Sequence, residues 1–113
     1  MASPFQQIVK SVTLTGSAAA LYTSPQGVWT QILALSVVNV DSGSHNVTLY
    51  IVPSGGSAGT GNTSTPDKAI LAGGSYNGQN EYGQVLNPGD ALWGLADAGS
   101  VLNVFASGLL GVG

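Results

Sequence analysis

WTQILALSVVNV (residues 29–40) has the clearest strand pattern in the chain. Successive residues of a β-strand point to opposite faces, and both alternating sets in this stretch are largely apolar. Such a pattern predicts a strand in the middle of a sheet, with both of its faces covered. The loop DSGSH (41–45) and the alternating stretch NVTLYIVP (46–53) then predict a hairpin that returns beside it.

The rest of the chain repeats this period of two residues, and glycine, proline and asparagine separate the apolar stretches. Further strands are predicted at 8–15, 18–22, 79–86, 91–97 and 100–108, while 67–74 fits either a short strand or one turn of helix. About eight short strands in 113 residues predict a single all-β domain covering residues 1–113. The expected architecture is one antiparallel β-sandwich or jelly roll, with a small barrel as the alternative.

Asn87-Pro88-Gly89-Asp90 raises the question of whether an acidic residue beside a tight turn marks an active site. Pro88 presets the backbone for the second position of a β-turn, and Gly89 supplies the positive φ that the third position needs. Asp90 then begins the next strand. We interpret the stretch as a hinge between strands.

Two segments are predicted to lie outside the sheets. PSGGSAGTGNTSTP (53–66) is a Gly/Ser-rich stretch of low complexity and predicts a mobile surface loop. MASPFQQ (1–7) is a candidate N-terminal arm, in which Pro4 disfavours helix and Phe5 offers an apolar anchor. Pro4 and Phe5 are therefore the candidate assembly contacts.

Charge is unusually sparse, because Asp, Glu, Lys and Arg make up only 6% of the residues against about 25% in typical domains. The chain has no arginine, and its lysines are Lys10 and Lys68. Binding of nucleic acid through phosphates, or of a membrane through a basic patch, has almost no cations to use. A surface without mutual repulsion suits a subunit that packs against other subunits. No spanning segment or signal peptide is visible, and the absence of cysteine fits a reducing compartment.

Catalytic and metal-binding patterns are weak throughout, so we predict no catalytic, cofactor-binding or metal-ligating residue. His45 is the only histidine and is expected to be a solvated loop residue. The G-x-S-x-G match at 55–59 lacks a following helix and a later histidine. Nothing in the sequence pairs two carboxylates, although a calcium ion shared between subunits stays open.

The aromatic residues fall into two groups. Trp29 and Trp93 have apolar neighbours and are predicted to lie in the core, with a subunit-facing position as an alternative for Trp93. Tyr76 and Tyr82 flank a stretch rich in Gly, Asn and Gln, which is typical of binding surfaces and of carbohydrate stacking. They are the candidate surface-binding aromatics, and partly buried tyrosines at a strand edge are the alternative.

ALYTSPQGVWTQILALSVVNVDSGSHNVTLYIVP (20–53) and VLNPGDALWGLADAGSVLNVFASG (85–108) resemble the small all-β accessory proteins of tailed-phage virions. The shared features are a turn of the form LYT-x-P-x-G, a long strand ending in Asn, a VTLYI return strand and a late VL-x-PGD turn. The resemblance implies a jelly-roll-like sandwich that oligomerises, commonly as a trimer, after synthesis in the host cytoplasm. It brings no catalytic residue or cofactor.

Two functions follow as hypotheses from this resemblance. The first is a non-enzymatic virion protein that decorates or cements the capsid, with the major capsid protein or other virion proteins as partners. The second is a neck, tail or head-fibre component that binds a host glycan through Tyr76 and Tyr82.

Overall fold

The computed structural model describes residues 4–97, 99 and 101–112. In these residues nine β-strands form two antiparallel sheets, and the helical content is a single turn of 3-10 helix at Thr60–Asn62. The predicted all-β sandwich is therefore confirmed. The strands are β1 (Phe5–Thr13), β2 (Ala19–Thr23), β3 (Val28–Asn39), β4 (His45–Val52), β5 (Thr63–Ile70), β6 (Ser75–Tyr76), β7 (Val85–Leu86), β8 (Ala91–Ala96) and β9 (Leu102–Val112).

Both sheets combine strands from the two halves of the chain. The larger sheet has the order β1-β9-β3-β6, with β7 also paired to β3, and the smaller sheet has the order β2-β8-β4-β5. The pairs are nested, with β4 and β5 innermost, then β3 with β6 and β7, then β2 with β8, and finally β1 with β9. Nested antiparallel pairs wrapped around one core make a jelly roll.

The core consists of aliphatic side chains that point inward from both sheets. Val37 and Val104 pair across β3 and β9, and both are completely buried. In the smaller sheet, Gly94 leaves space for Leu14 and Leu49, because a Cβ at residue 94 would lie 3.2 and 3.0 Å from their side chains. Each fully buried Val or Leu contributes about 1.5–3 kcal/mol to stability.

The strand at 29–40 does lie inside a sheet, since β3 pairs with β9 on one side and with β6 and β7 on the other. The expectation that both of its faces are covered is wrong, because its outward face is turned to solvent and Ala34 is exposed. The predicted hairpin at 41–45 is wrong, because β3 and β4 belong to different sheets. The chain turns at Asn39, whose buried side-chain amide donates to the carbonyls of Gly43 and Ile70. These bonds direct the loop across the sandwich instead of back along the same sheet.

The segments predicted outside the sheets are shorter than expected. Thr63–Ile70 is β5, so the loop after β4 ends at residue 62, where Asn62 accepts from the Gly59 amide and donates to the Ser57 carbonyl. Phe5–Thr13 is β1, so residues 5–7 of the predicted arm are paired with β9. Residues 1–3 of that arm, and residue 100 of the predicted last strand, lie outside the described residues.

Candidate functional site

The outer face of the larger sheet, which we call the open face, is the broadest candidate surface. Strand register and alternating burial define its outward-pointing positions. One charged residue, Lys10, points outward on this face, because it follows the inward Val9 and lies opposite the outward Phe105 in the irregular part of β1. The other described outward positions of this face carry no Asp, Glu, Lys or Arg. They are Phe5, Gln7, Thr13, Trp29, Gln31, Ala34, Ser36, Val38, Ser75, Val85, Asn103, Phe105, Ser107 and Leu109.

A mostly apolar row crosses the open face from one edge to the other. Phe5 of β1 pairs with Leu109 of β9, Leu109 pairs with Gln31 of β3, and Gln31 pairs with Val85 of β7. Phe5 is 61% exposed and Val85 is 47% exposed, and Phe105, further along β9, is 39% exposed. Among the described residues, these three are the large exposed apolar side chains on the open face, whereas the outer face of the smaller sheet has none.

Trp29 lies at one end of the open face and covers a glycine. Gly111 pairs with Trp29, and a Cβ at residue 111 would meet the indole carbon Cζ2 of Trp29 at 2.1 Å. Trp29 and Trp93 are both half-buried and point outward from their sheets, so the prediction that both lie in the core is wrong. Thr30 follows Trp29 and Leu92 precedes Trp93, and both of these neighbours are buried. Because successive residues of a strand point to opposite faces, the two tryptophans point outward.

Apart from Lys10, which points outward from the larger sheet, the charged residues of the described chain lie at the edges and ends of the sandwich or in its interior. Lys10 is on the edge strand β1, Asp67 and Lys68 are on the edge strand β5, Asp41, Asp90 and Asp97 are on connections between strands, and Glu81 is buried. A net charge of −3 therefore acts from the edges and ends of the sandwich. Most of the open face can approach another protein surface without desolvating an ion, because its one charged residue, Lys10, lies on the edge strand β1.

A buried carboxylate links the two sheets at one side of the sandwich. Glu81 is 0% exposed and lies in the turn between β6 and β7. Its Oε2 accepts hydrogen bonds from the Ser64 and Thr65 hydroxyls at 2.5 and 2.7 Å, and its Oε1 accepts one from the Tyr76 hydroxyl at 2.9 Å. These bonds join β5 of the smaller sheet to β6 of the larger sheet. We call Ser64, Thr65, Tyr76 and Glu81 the Glu81 cluster.

The Glu81 cluster is fully hydrogen-bonded. Burial raises the pKa of the Tyr76 phenol, which keeps its proton available to Glu81. The phenol oxygen in turn accepts from the Asn80 amide at 3.2 Å. Because Glu81 has no exposed surface, it cannot reach a substrate in this state, and we assign the cluster a structural role. Sequence reasoning did not predict the cluster, since its four residues come from two separate stretches of the chain.

The two tyrosines predicted to lie on the surface differ in burial. Tyr76 is 5% exposed and belongs to the core, so its assignment as a surface-binding aromatic is wrong. It points inward because β6 pairs with β3 in the register that sets Tyr76 opposite the buried Val37. Tyr82 is 67% exposed, as a binding aromatic must be. A carbohydrate platform built on both rings is therefore not present.

His45 is held between two carboxylates and is not a solvated loop residue as predicted. Its Nε2 lies 2.6 Å from Asp41 Oδ2, and its Nδ1 lies 2.9 Å from Asp97 Oδ1. The other oxygen of Asp97 accepts from the Asn46 amide. The hydrogen bonds that the imidazole donates to Asp41 and to Asp97 raise the pKa of His45, and the bond that Asp41 accepts from His45 lowers the pKa of Asp41. This His45 clamp ties the β3–β4 connection to the end of β8.

The His45 clamp predicts a loss of stability above neutral pH. The folded protein binds the imidazole proton more tightly than the unfolded chain does, so the stabilisation is complete below the ordinary pKa of 6.5. It is lost as the pH rises through the raised pKa of the folded state. At acidic pH, the ionised Asp41 carboxylate stabilises the folded state fully above its ordinary pKa of 3.8. This stabilisation is lost as the pH falls through the lowered pKa of Asp41 in the folded protein.

The measurement is the urea midpoint of the wild type and of His45→Gln at about pH 5.5 and about pH 8.5. The wild-type midpoint should fall between the two pH values, and the variant's midpoint should change less. Asp41 and Asp97 are the carboxylates that contact the imidazole. An equal fall in both proteins would exclude the clamp as the cause.

The turn at 87–90 has the predicted geometry. Gly89 has a φ of +88°, and the Asp90 amide donates to the Asn87 carbonyl at 2.9 Å. The Asp90 carboxylate also accepts from the backbone amides of Ser54 and Asn87. The interpretation of this stretch as a hinge is confirmed, and Asp90 additionally anchors the loop that follows β4.

The described residues contain no group of three or more His, Cys, Asp or Glu side chains arranged to hold a metal ion. Within the same part of the chain, no helix is long and apolar enough to cross a membrane.

Comparison with known proteins extends the description of the fold. No protein-family model matches the sequence, and curated proteins give no match. A chain from the Bacillus endospore appendages, which form a family of disulfide-linked pili, has a similar structure with a TM-score of 0.56. The two chains are 17% identical, and the similarity covers 96% of this chain and 86% of the other. At this identity the likeness shows the fold alone.

Proposed function

We propose that this protein is a non-enzymatic structural subunit of a phage virion, and that it decorates or cements the capsid surface as a homo-oligomer. The observation that carries the proposal is the open face, where Lys10 on the edge strand β1 is the one charged residue at the described outward positions and Phe5, Val85 and Phe105 are exposed. The major capsid protein or other virion proteins are the partners we propose, with the virion as the location.

The open face differs from the face that an isolated antiparallel sheet normally turns to water. Such sheets alternate apolar residues inward with polar and charged residues outward. Large exposed apolar patches mark interaction sites, and the centres of protein interfaces are depleted in charge and enriched in aromatic residues. The open face is likewise poor in charged residues and exposes aromatic side chains.

The structural neighbour supports an assembling role without identifying the assembly. Its pili are polymers linked by disulfides, whereas the 113 residues of this chain contain no cysteine. We therefore propose that contacts between its subunits are non-covalent, and that packed surface area supplies the free energy of assembly.

The decisive experiment is the number of copies of this chain per purified virion, measured by quantitative mass spectrometry against the major shell protein. An abundance close to that of the shell protein supports decoration or cementing. A few copies per particle would place it at a vertex, neck or tail, and absence from the particle would overturn the proposal.

Phe5→Ala should weaken attachment to bare shells by about fivefold or more, because truncating an interface anchor typically costs over 1 kcal/mol. The fold should persist, since the Phe5 side chain is exposed. Leu71→Ala is the matched control, because Leu71 is also exposed but lies in the turn after β5. Equal binding by the wild type and Phe5→Ala in a co-sedimentation assay would remove Phe5 from the interface. Deleting residues 1–7 is not equivalent, since it removes paired residues of β1.

A further inference from the structure

Two aromatic side chains lie next to each other on the outer face of the smaller sheet. Tyr50 of β4 pairs with Trp93 of β8, and directly opposite residues of antiparallel strands project their side chains from the same face of the sheet. Both residues are half-buried, and they alternate with the buried Leu49 and Leu92, so their side chains point away from the core. We call Tyr50 and Trp93 the aromatic pair.

The polar ends of the aromatic pair are open to solvent. Within the described part of the chain, neither the Tyr50 hydroxyl nor the indole N–H of Trp93 makes a hydrogen bond to the protein. No side-chain oxygen or nitrogen of the described residues is buried without a partner, so both groups reach the surface. The phenol both donates and accepts hydrogen bonds and the indole donates one. These bonds are available to a molecule that lies on the rings.

The surroundings of the aromatic pair are uncharged. The row of outward positions that contains the pair, and the next described row, have no Asp, Glu, Lys or Arg. They are Ala20, Trp93, Tyr50 and Thr63 in one row, and Leu95 and Thr48 in the next. The Asp and Lys residues of the smaller sheet are on its edge strand β5, where Lys68 pairs with the inward Val47 and the Asp67 amide donates to the Thr48 hydroxyl. A ligand on the pair therefore needs no charge.

A neutral sugar has the chemistry that the aromatic pair can recognise. One side of a pyranose ring presents C–H groups that pack on an aromatic ring, and its hydroxyls both donate and accept hydrogen bonds around the edge. Ligand sites combine aromatic contact area with a few fixed polar groups. The aromatic pair supplies two rings, one hydroxyl and one N–H in an uncharged setting.

We propose that the aromatic pair binds a neutral pyranose sugar of a glycan on the host cell surface. The inference rests on the proposed function, because the two sheets of a sandwich face opposite ways. When the open face lies on the shell, the aromatic pair points away from the particle, and a glycan can reach it without displacing the subunit. The site differs from the platform predicted on Tyr76 and Tyr82, which the burial of Tyr76 excludes.

The test is binding of the 113-residue chain to an array of neutral oligosaccharides built from glucose, galactose, mannose and N-acetylglucosamine. Calorimetric titration of the best ligand then compares variants. Trp93→Ala and Tyr50→Ala should each weaken binding at least about fivefold, because each removes one of the two contact rings. Trp93→Phe keeps a ring at this position and should recover part of the lost affinity.

Trp29→Phe and Tyr82→Ala are the matched controls, because they change accessible aromatic residues outside the pair. Both should bind like the wild type, and every variant should keep the far-ultraviolet circular dichroism spectrum of the wild type. Binding that falls only when the pair is changed supports the inference.

A wild type that binds none of these oligosaccharides, or that binds equally well after Tyr50→Ala and Trp93→Phe, would overturn the inference. Loss of binding in Tyr82→Ala or Trp29→Phe would also overturn it, since the sugar would then lie elsewhere. The binding assay uses the free protein, whereas the copy number per virion tests the proposed function. Either result can therefore fail without the other.

Discussion

Glu81→Ala should lower the free energy of unfolding by about 3 kcal/mol, because it removes the acceptor of the buried Thr65 and Tyr76 hydroxyls, and the 2.9 Å contact between these two provides a new acceptor for only one of them. A buried donor that loses its partner costs about 1–3 kcal/mol. Small domains have a total stability of about 5–15 kcal/mol. The loss would also lower the melting temperature by about 10 °C.

Urea denaturation followed by tryptophan fluorescence measures this change, since Trp29 and Trp93 report on both sheets. Tyr76→Phe removes one donor from the Glu81 cluster and keeps the ring, so its cost should be smaller, about 1–2 kcal/mol. Gln79→Ala is the control in the same turn, because Gln79 is exposed. It should change stability by less than about 0.5 kcal/mol. If Glu81→Ala unfolds at the same urea concentration as Gln79→Ala, the cluster does not stabilise the fold.

Gly78→Ala should cost about 3 kcal/mol for two separate reasons. Gly78 has a φ of +67°, a conformation that costs an L-residue about 1–2 kcal/mol. An added Cβ would also lie 2.8 Å from Leu35 Cβ and 3.0 Å from the Leu35 carbonyl oxygen. Neither atom is at the end of a flexible side chain, so the backbone must shift, at a cost of about 1–3 kcal/mol.

Gly83→Ala separates these two contributions. Gly83 lies in the same turn with a φ of +83°, but an added Cβ would meet nothing within 4 Å. Its cost should therefore be about 1 kcal/mol, from the backbone conformation alone. The difference between the urea midpoints of the two variants measures the close approach of Gly78 to β3. Equal midpoints would show that the backbone accommodates the added methyl group.

The two positions act on one piece of structure. The Gly78 carbonyl accepts from the amides of Glu81 and Tyr82, and so forms the turn that places Glu81 under β5. This turn replaces the first part of the strand predicted at 79–86, of which only Val85–Leu86 is paired as β7. The Glu81 carboxylate can accept its hydrogen bonds only because the chain turns at this point and does not continue as a strand.

Local sequence patterns were sufficient for features that depend on neighbouring residues. The turn at 87–90 follows from the fixed φ of Pro88 and the positive φ open to Gly89. The long strand at 28–39 follows from its period of two residues, which depends only on backbone geometry. The sparse charge of the open face could be expected from the composition, because 6% of charged residues cannot cover two broad faces.

The sequence pattern failed where a residue's surroundings come from distant parts of the chain. The sequence pattern predicts that His45 is a loop residue, but the crossing from β3 to β4 brings it next to Asp97, which is 52 positions away in the chain. The sequence pattern predicts that Tyr76 is a surface aromatic, but the register between β6 and β3 points its side chain toward Thr65 and Glu81.

A strand's alternation fixes which residues share a face, but it does not specify the sheet to which the strand belongs or which face is turned to the core. Those choices depend on the nested pairing of β1 with β9 and β2 with β8, which joins the two ends of the chain. The free energy of that arrangement comes from core packing and from buried hydrogen bonds such as those of Glu81. These interactions exist only after both sheets have formed.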